Sequence, residues 1–153
     1  MTIASIILSV EVKVSPARAF DLFTRRYADW WPKGRTPAKS PHVQVVMEPR
    51  PGGRWFEVDA DGVETPWGRV LTWDPPGRLV LAWQLNSQFA YDPDFVTELE
   101  LTFSPEGDGT KVTLEHRNLE RFGAEAGRMA GLLGGGWPGY LGGYAAFAAN
   151  QPD

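Results

Sequence analysis

The chain has 153 residues, with 15 Lys+Arg against 19 Asp+Glu for a formal net charge of −4, and 42% of it is hydrophobic. That length and apolar content suit one folded domain spanning residues 1–153 and exclude a disordered chain. Zero cysteines exclude disulfides, thiolate zinc sites and thiol catalysis, and the mild acidity without a basic run gives no footprint for nucleic acid.

The amino-terminal stretch Met1 to Val14 is apolar only from Ile3 to Leu8, without the basic lead or small-residue cleavage site of a secretory signal. No apolar run approaches the roughly 18 residues of a membrane span. A cytoplasmic location is expected. Val10-Glu11-Val12-Lys13-Val14 then alternates apolar and charged residues, which predicts a strand. Ser15-Pro16 supplies a helix N-cap and a proline at the first helical position. The helix that follows carries Ala19, Phe20, Leu22 and Phe23 as its apolar stripe. A second short helical segment, Arg25 to Trp31, ends at Pro32, and Lys33 to Pro41 is polar loop.

From His42 the period changes to two. Strands are predicted over Val43–Glu48, Arg54–Val58 and Glu64–Trp73, separated by Pro49-Arg50-Pro51-Gly52-Gly53 and by an Asp-Gly hairpin turn at Asp59-Ala60-Asp61-Gly62. After the turn Asp74-Pro75-Pro76-Gly77, Leu79, Leu81, Trp83 and Leu85 share one strand face. Asn86 to Asp94 is a loop. Phe95, Thr97, Leu99, Leu101 and Phe103 form the next inward face, and Val112, Leu114 and His116 the last. Six successive strands joined by tight turns predict an antiparallel meander with one buried face. For Glu64–Trp73 two phases remain open, one with Trp67, Arg69 and Leu71 on a shared face and one with Gly68, Val70 and Thr72 inward.

The tail returns to helical period, with Met129, Leu132, Leu133, Trp137, Tyr140, Leu141, Tyr144, Phe147 and Ala148 three and four apart. Gly134-Gly135-Gly136 and Pro138 interrupt it, so either a kinked helix or two helices in phase are expected. A twisted sheet must cover its apolar face, and this tail is the long amphipathic element able to do so. Between sheet and helix a cavity can remain. The seven tryptophans, from different elements, can fill it or line it.

The order strand, two short helices, six-stranded meander, long terminal helix resembles the helix-grip fold of the START-like (SRPBCC) superfamily, an α+β architecture. The likeness is greatest to the branch named after the activator of the heat-shock protein 90 ATPase, the AHSA1-like branch. It rests on Val12-Lys13-Val14-Ser15-Pro16-Ala17-Arg18-Ala19-Phe20-Asp21-Leu22-Phe23, Trp30-Trp31-Pro32, Pro51-Gly52-Gly53-Arg54 and Gly68-Arg69-Val70-Leu71. Pro75-Pro76-Gly77-Arg78-Leu79-Val80 with Trp83, and Gly136-Trp137-Pro138-Gly139-Tyr140-Leu141, complete it. The resemblance implies a pocket binder and, through the family name, a chaperone partner or stress-linked role. A fold of this kind hosts many ligands and few shared catalytic residues.

Candidate chemistry is sparse. His116 lies on an inward phase, where it is either a core histidine satisfied by a hydrogen bond or a polar anchor or general base. His42 reads as ordinary surface at a loop end. Two histidines and no cysteines cannot build a typical transition-metal site without carboxylates, no His-x-x-x-His spacing is present so no metal is expected, and no Gly-x-Ser-x-Gly elbow exists. Asp59-Ala60-Asp61-Gly62 lacks the ligands of a calcium loop, and Gly134-Gly135-Gly136 lacks the lysine of a phosphate loop. Glu98, Glu100, Lys111, Glu115 and Arg117 take the solvent phase. The expected function is binding of a small, largely hydrophobic molecule, lined by Trp31, Phe56, Trp67, Trp83, Thr97, Leu99, His116, Met129, Leu133, Trp137 and Tyr140, with no cofactor. The alternatives are a protein-interaction module and a cavity enzyme using His116. The expected assembly is a monomer or weak homodimer.

Overall fold

Strand β1 (Ile6–Val12) begins earlier than the Val10–Val14 alternation predicts, because its apolar run pairs antiparallel with the last strand, placing Ile6 opposite His116 and Leu8 opposite Leu114. The coordinates are a computed structural model that describes residues 3–151. Met1, Thr2, Pro152 and Asp153, included in the expected span, lie outside the described residues. Helix α1 (Pro16–Thr24) starts where predicted: the Ser15 hydroxyl accepts from the Arg18 amide and Pro16 occupies the first turn. Its Ala19, Phe20, Leu22 and Phe23 are all buried, and a four-residue helix α2 (Tyr27–Trp30) follows.

Strands β2 (His42–Met47), β3 (Arg54–Asp59), β4 (Glu64–Asp74), β5 (Arg78–Trp83), β6 (Thr97–Glu106) and β7 (Gly109–Arg117) form the meander. With β1 at the β7 edge they make a seven-stranded antiparallel sheet of order β1-β7-β6-β5-β4-β3-β2. Neither simple phase of β4 survives intact. The register shifts once where Trp55 pairs Gly68 and Phe56 pairs Pro66, and again between Val70 and Thr72. Each shift marks a bulge, an extra residue that re-aims its neighbours. As a result Trp67 and Val70 are buried, Trp73 is half-buried against Phe20, and Arg69 and Leu71 face solvent.

After a 3-10 segment over Leu119–Glu125 that turns at Gly123 (φ 63°), helix α3 (Ala126–Ala149) runs unbroken through Pro138. Pro138 forgoes one helical hydrogen bond and crowds the carbonyl four residues back, and it sits on the solvent side. Met129, Leu133, Trp137, Leu141, Tyr144 and Ala148 form the buried stripe, while Leu132, expected in it, is 50% exposed. The stripe covers Leu99, Leu101, Val112 and Leu114 in one continuous core. At about 1.5–3 kcal/mol per buried large aliphatic side chain, this packing outweighs the weak helicity of a glycine-rich segment. The Tyr144 hydroxyl donates to the Ala19 carbonyl at 2.8 Å, tying α3 to α1. The result is the helix-grip fold: a curved sheet closed by one long terminal helix.

Candidate functional site

The bulge in β4 brings Trp67 inward beside Trp83 at the end of β5 and Trp31 just past α2, while α3 supplies Trp137. Their ring centroids form a closed circuit: Trp31–Trp67 5.3 Å, Trp67–Trp83 6.3 Å, Trp83–Trp137 5.7 Å and Trp137–Trp31 5.8 Å. An edge-to-face arrangement, with interplanar angles of 62° to 70° and of the kind ring quadrupoles favour, recurs at each step. Gly68 makes the bulge sterically feasible, since a Cβ there would stand 1.8 Å from the Ala82 carbonyl oxygen. The circuit surrounds an enclosed space of about 40 Å³, also bordered by Leu85 and Leu133. That is room for water or a single functional group, well short of the ~150 Å³ that admits a benzene ring.

The enclosed space opens outward. Arg35, Phe89, Leu132 and Tyr140 border both it and a wider cleft of about 680 Å³, whose floor is Gly131, Gly135, Gly136 and Gly139 of α3. This volume lies within the usual range for small-molecule sites. A Cβ built on Gly131, Gly135 or Gly139 meets nothing within 4 Å, so the floor is bare backbone. Phe89 adopts φ 56°, a left-handed conformation unusual for a bulky residue. The Asn86–Ala90 and Phe89–Asn86 backbone hydrogen bonds, both 2.9 Å, hold that turn. Arg128 of α3 anchors the same loop by donating to the Ser87 carbonyl at 3.1 Å.

Behind the indoles, His116 is fully buried and fully engaged. The Trp137 indole N–H donates to His116 Nδ1 at 3.1 Å, which leaves the ring proton on Nε2, 2.8 Å from the Thr97 hydroxyl oxygen. Thr97 in turn donates to the Trp83 carbonyl at 3.5 Å. Burial alone pushes the His116 pKa down to about 3, so the imidazole is neutral at ordinary pH. Of the two readings offered by the sequence, the geometry matches a hydrogen-bonded core histidine.

The structure brings Trp31, Trp67, Trp83, Leu133, Trp137 and Tyr140 together around the enclosed space. Thr97, Leu99, His116 and Met129 are fully buried in the layer behind it. Phe56 lies elsewhere: Trp55 takes the inward phase of β3, so Phe56 turns to the opposite face beneath the Arg54 guanidinium, 4.2 Å from its ring centre. His42, expected at the surface, is buried in β2 with Nε2 3.3 Å from the Ala28 carbonyl oxygen. Lys33 donates to the His42 carbonyl. Desolvation lowers the His42 pKa, despite an opposing contribution from that Ala28 contact.

Sequence reasoning missed Arg35 and Phe89 as site residues. Phe89 was detectable as a bulky aromatic within a turn-rich loop; nothing marked Arg35. It also missed Glu57, which shares the inward phase of Trp55 and is fully buried. The Trp67 indole N–H donates to Glu57 Oε1 at 2.7 Å, leaving Oε2 without a protein partner. The buried Tyr27 hydroxyl is shifted well upward by desolvation and then by the charges of Tyr140 and Glu57. Among the described residues no group of three or more His, Cys, Asp or Glu could hold a metal ion, and no helix is long and apolar enough to cross a membrane.

Residues 13–147 match the family model described as "Activator of Hsp90 ATPase homolog 1-like protein". No curated protein matches the chain. Among solved structures, the chain is similar to an anthrahydroquino-γ-pyrone synthase, Txn09, at 39% identity and TM-score 0.66, covering 95% of this chain and 97% of that one. It is similar to the self-sacrificing resistance protein CalC from Micromonospora echinospora at 31% identity and TM-score 0.71, covering 94% and 93%. The Mesorhizobium loti protein MLL2253, at 18% identity and TM-score 0.71 over 98% and 100% of the two chains, shares the fold. On the family match across most of its length, the chain belongs to the Activator of Hsp90 ATPase homolog 1-like proteins.

Proposed function

We propose that this protein binds a small, flat, largely apolar aromatic molecule in the cleft over the indole circuit. The observation that carries this reading is the adjacency of two spaces that share Arg35, Phe89, Leu132 and Tyr140. A 680 Å³ cleft floored by bare helix backbone lies beside an aromatic-walled recess of about 40 Å³. Flat rings gain most from such walls, at roughly 25 cal/mol per Å² removed from water plus edge and stacking contacts. The similarity to a synthase of a fused-ring γ-pyrone supports the same class of guest. His116 has no ring nitrogen left to move a proton, which favours binding over His116-based catalysis.

Titrating intrinsic tryptophan fluorescence with fused aromatics and with fatty acids tests the proposal. Saturable quenching by the aromatics is expected, weakened at least tenfold by Gly135→Leu, which fills the cleft where a Cβ has open space. No saturable change with any fused aromatic overturns it. The chaperone-linked reading rests on the family description; the exposed large hydrophobic residues include one aromatic, Phe89, and that one borders the cleft.

A further inference from the structure

The backbone at Phe89 is of a kind that side chains usually avoid. The Asn86 N–H donates to the Ala90 carbonyl and the Phe89 N–H to the Asn86 carbonyl, each at 2.9 Å, and Leu85 bridges Tyr91. This is the pattern of a three-residue hairpin loop, whose last residue is left-handed and ordinarily glycine. Here that residue is Phe89, at φ 56°. The loop is held in this shape from within and from α3. The Asn86 side-chain oxygen accepts from the Gln88 and Ala90 amides at 2.9 and 3.2 Å, and Arg128 donates to the Ser87 carbonyl. A bulky residue kept in a strained conformation beside a binding cleft points to a role for its side chain.

Core packing does not supply that role. Phe20 and Phe23 pack against Phe103, and Phe95 against Phe122, while Phe56 and Phe147 lie beside guanidinium groups. Phe89 is the one phenylalanine with neither a ring nor a cation partner among the described residues, and it is 42% exposed. Its ring instead borders three spaces: the recess, the cleft and a side pocket of about 200 Å³ at Gly34, Arg35 and Thr36. In the cleft, Phe89 and Tyr140 are the two aromatic side chains beside the glycine floor.

Resting on the cleft-binding reading, we infer that Phe89 is the residue that selects flat aromatic guests over aliphatic ones. Its ring contacts the guest lying on the glycine floor, where quadrupole contacts favour another ring over an alkyl chain of equal apolar area. The loop carries a left-handed phenylalanine, where glycine would be unstrained, because glycine has no ring to offer the guest.

Isothermal titration with two probes of like charge, anthraquinone-2-carboxylate and dodecanoate, reads the selection. Phe89→Gly and Phe89→Ala should each bind the anthraquinone about three- to tenfold more weakly, the range one aromatic contact supplies, and dodecanoate should weaken less. The preference between the probes therefore falls. It should fall also in Phe89→Leu, which keeps apolar bulk without a ring, and persist in Phe89→Tyr, which keeps the ring. Melting curves separate ring from backbone. Glycine suits a positive φ and alanine does not, so Phe89→Gly should melt about 2–4 °C above Phe89→Ala, although the two bind alike. An undiminished preference in Phe89→Gly and Phe89→Ala, or Phe89→Ala melting at or above Phe89→Gly, overturns this inference and leaves the cleft-binding reading standing. No saturable binding of anthraquinone-2-carboxylate or any other fused aromatic by the unsubstituted protein overturns both.

Discussion

His116 illustrates how burial and hydrogen bonding together decide a side chain's chemistry. With Nδ1 accepting from Trp137 and Nε2 donating to Thr97, protonation would require a second donor at Nδ1 facing another donor. Its folded pKa near 3 lies below the ordinary histidine value of 6.5. Between these values the unfolded chain binds a proton that the folded chain refuses. Stability from this group is therefore complete above pH 6.5 and declines as the pH falls toward 3, by up to ~1.4 kcal/mol per unit. His42 acts in the same direction. Urea unfolding of His116→Gln should show a shallower decline between pH 6.5 and 4 than the unsubstituted protein; parallel curves would contradict the assignment. Thr97→Val leaves the His116 Nε2–H without an acceptor and should cost about 1–3 kcal/mol, measured as a lower urea midpoint at pH 7.5. An unchanged midpoint would show that this bond contributes nothing.

Two glycine-containing elements behave oppositely for reasons of local space. In α3, Gly131 and Gly135 weaken intrinsic helicity by about 1 kcal/mol each relative to alanine, and an added Cβ meets open cleft. Gly131→Ala and Gly135→Ala should each raise the melting temperature by about 2–4 °C, while the same methyl narrows the floor a guest would lie on. In β4, Gly68→Ala drives a Cβ into the Ala82 backbone and opens the bulge that turns Trp67 inward. It should destabilise by about 1–3 kcal/mol or more and disturb Trp67 fluorescence. Melting curves for the three variants check both signs.

The same contrast explains what could be seen in the chain beforehand. The period-two phases of β6 and β7 and the α3 stripe followed from side-chain alternation alone, because one face meets core and the other is more open to water, whereas in β5 Val80 and Ala82 on the second face are buried as well. The phase of β4 did not, since bulges insert residues that periodicity does not register. Phe56 was misplaced because Trp55, the larger neighbour, takes the inward position. Pro138 inside α3 depended on its solvent side, a three-dimensional matter. Arg35 and Phe89 came to the cleft through loop conformation, for which composition offers a mechanism only at turns.

At the scale of the whole molecule, a sheet with five consecutive antiparallel connections, β1 added at its β7 edge, and one long covering helix is closed along most of its length. It is open where the loops at 33–41 and 86–94 meet the glycine face of α3. The packed interior leaves little enclosed volume, so the capacity for a guest lies at that open end. Some surface charges away from it are paired, as in Arg117 with Glu98 at 2.9 Å and Glu100 at 2.6 Å. Partial burial raises the Glu100 pKa, but hydrogen bonds and charges from Arg117 and Arg78 outweigh it and hold the carboxyl below its usual range. Such half-exposed pairs contribute modestly, and raising ionic strength should change stability little.

The most direct test of guest binding at the open end is a nitrogen–proton correlation spectrum of the seven indole N–H groups during titration with anthraquinone-2-carboxylate. The account predicts saturable shifts for Trp31 and Trp137, with Trp73, packed against Phe20 and outside the lining of recess and cleft, unmoved. Seven stationary indole resonances at saturating probe, or shifts confined to Trp73, would contradict it.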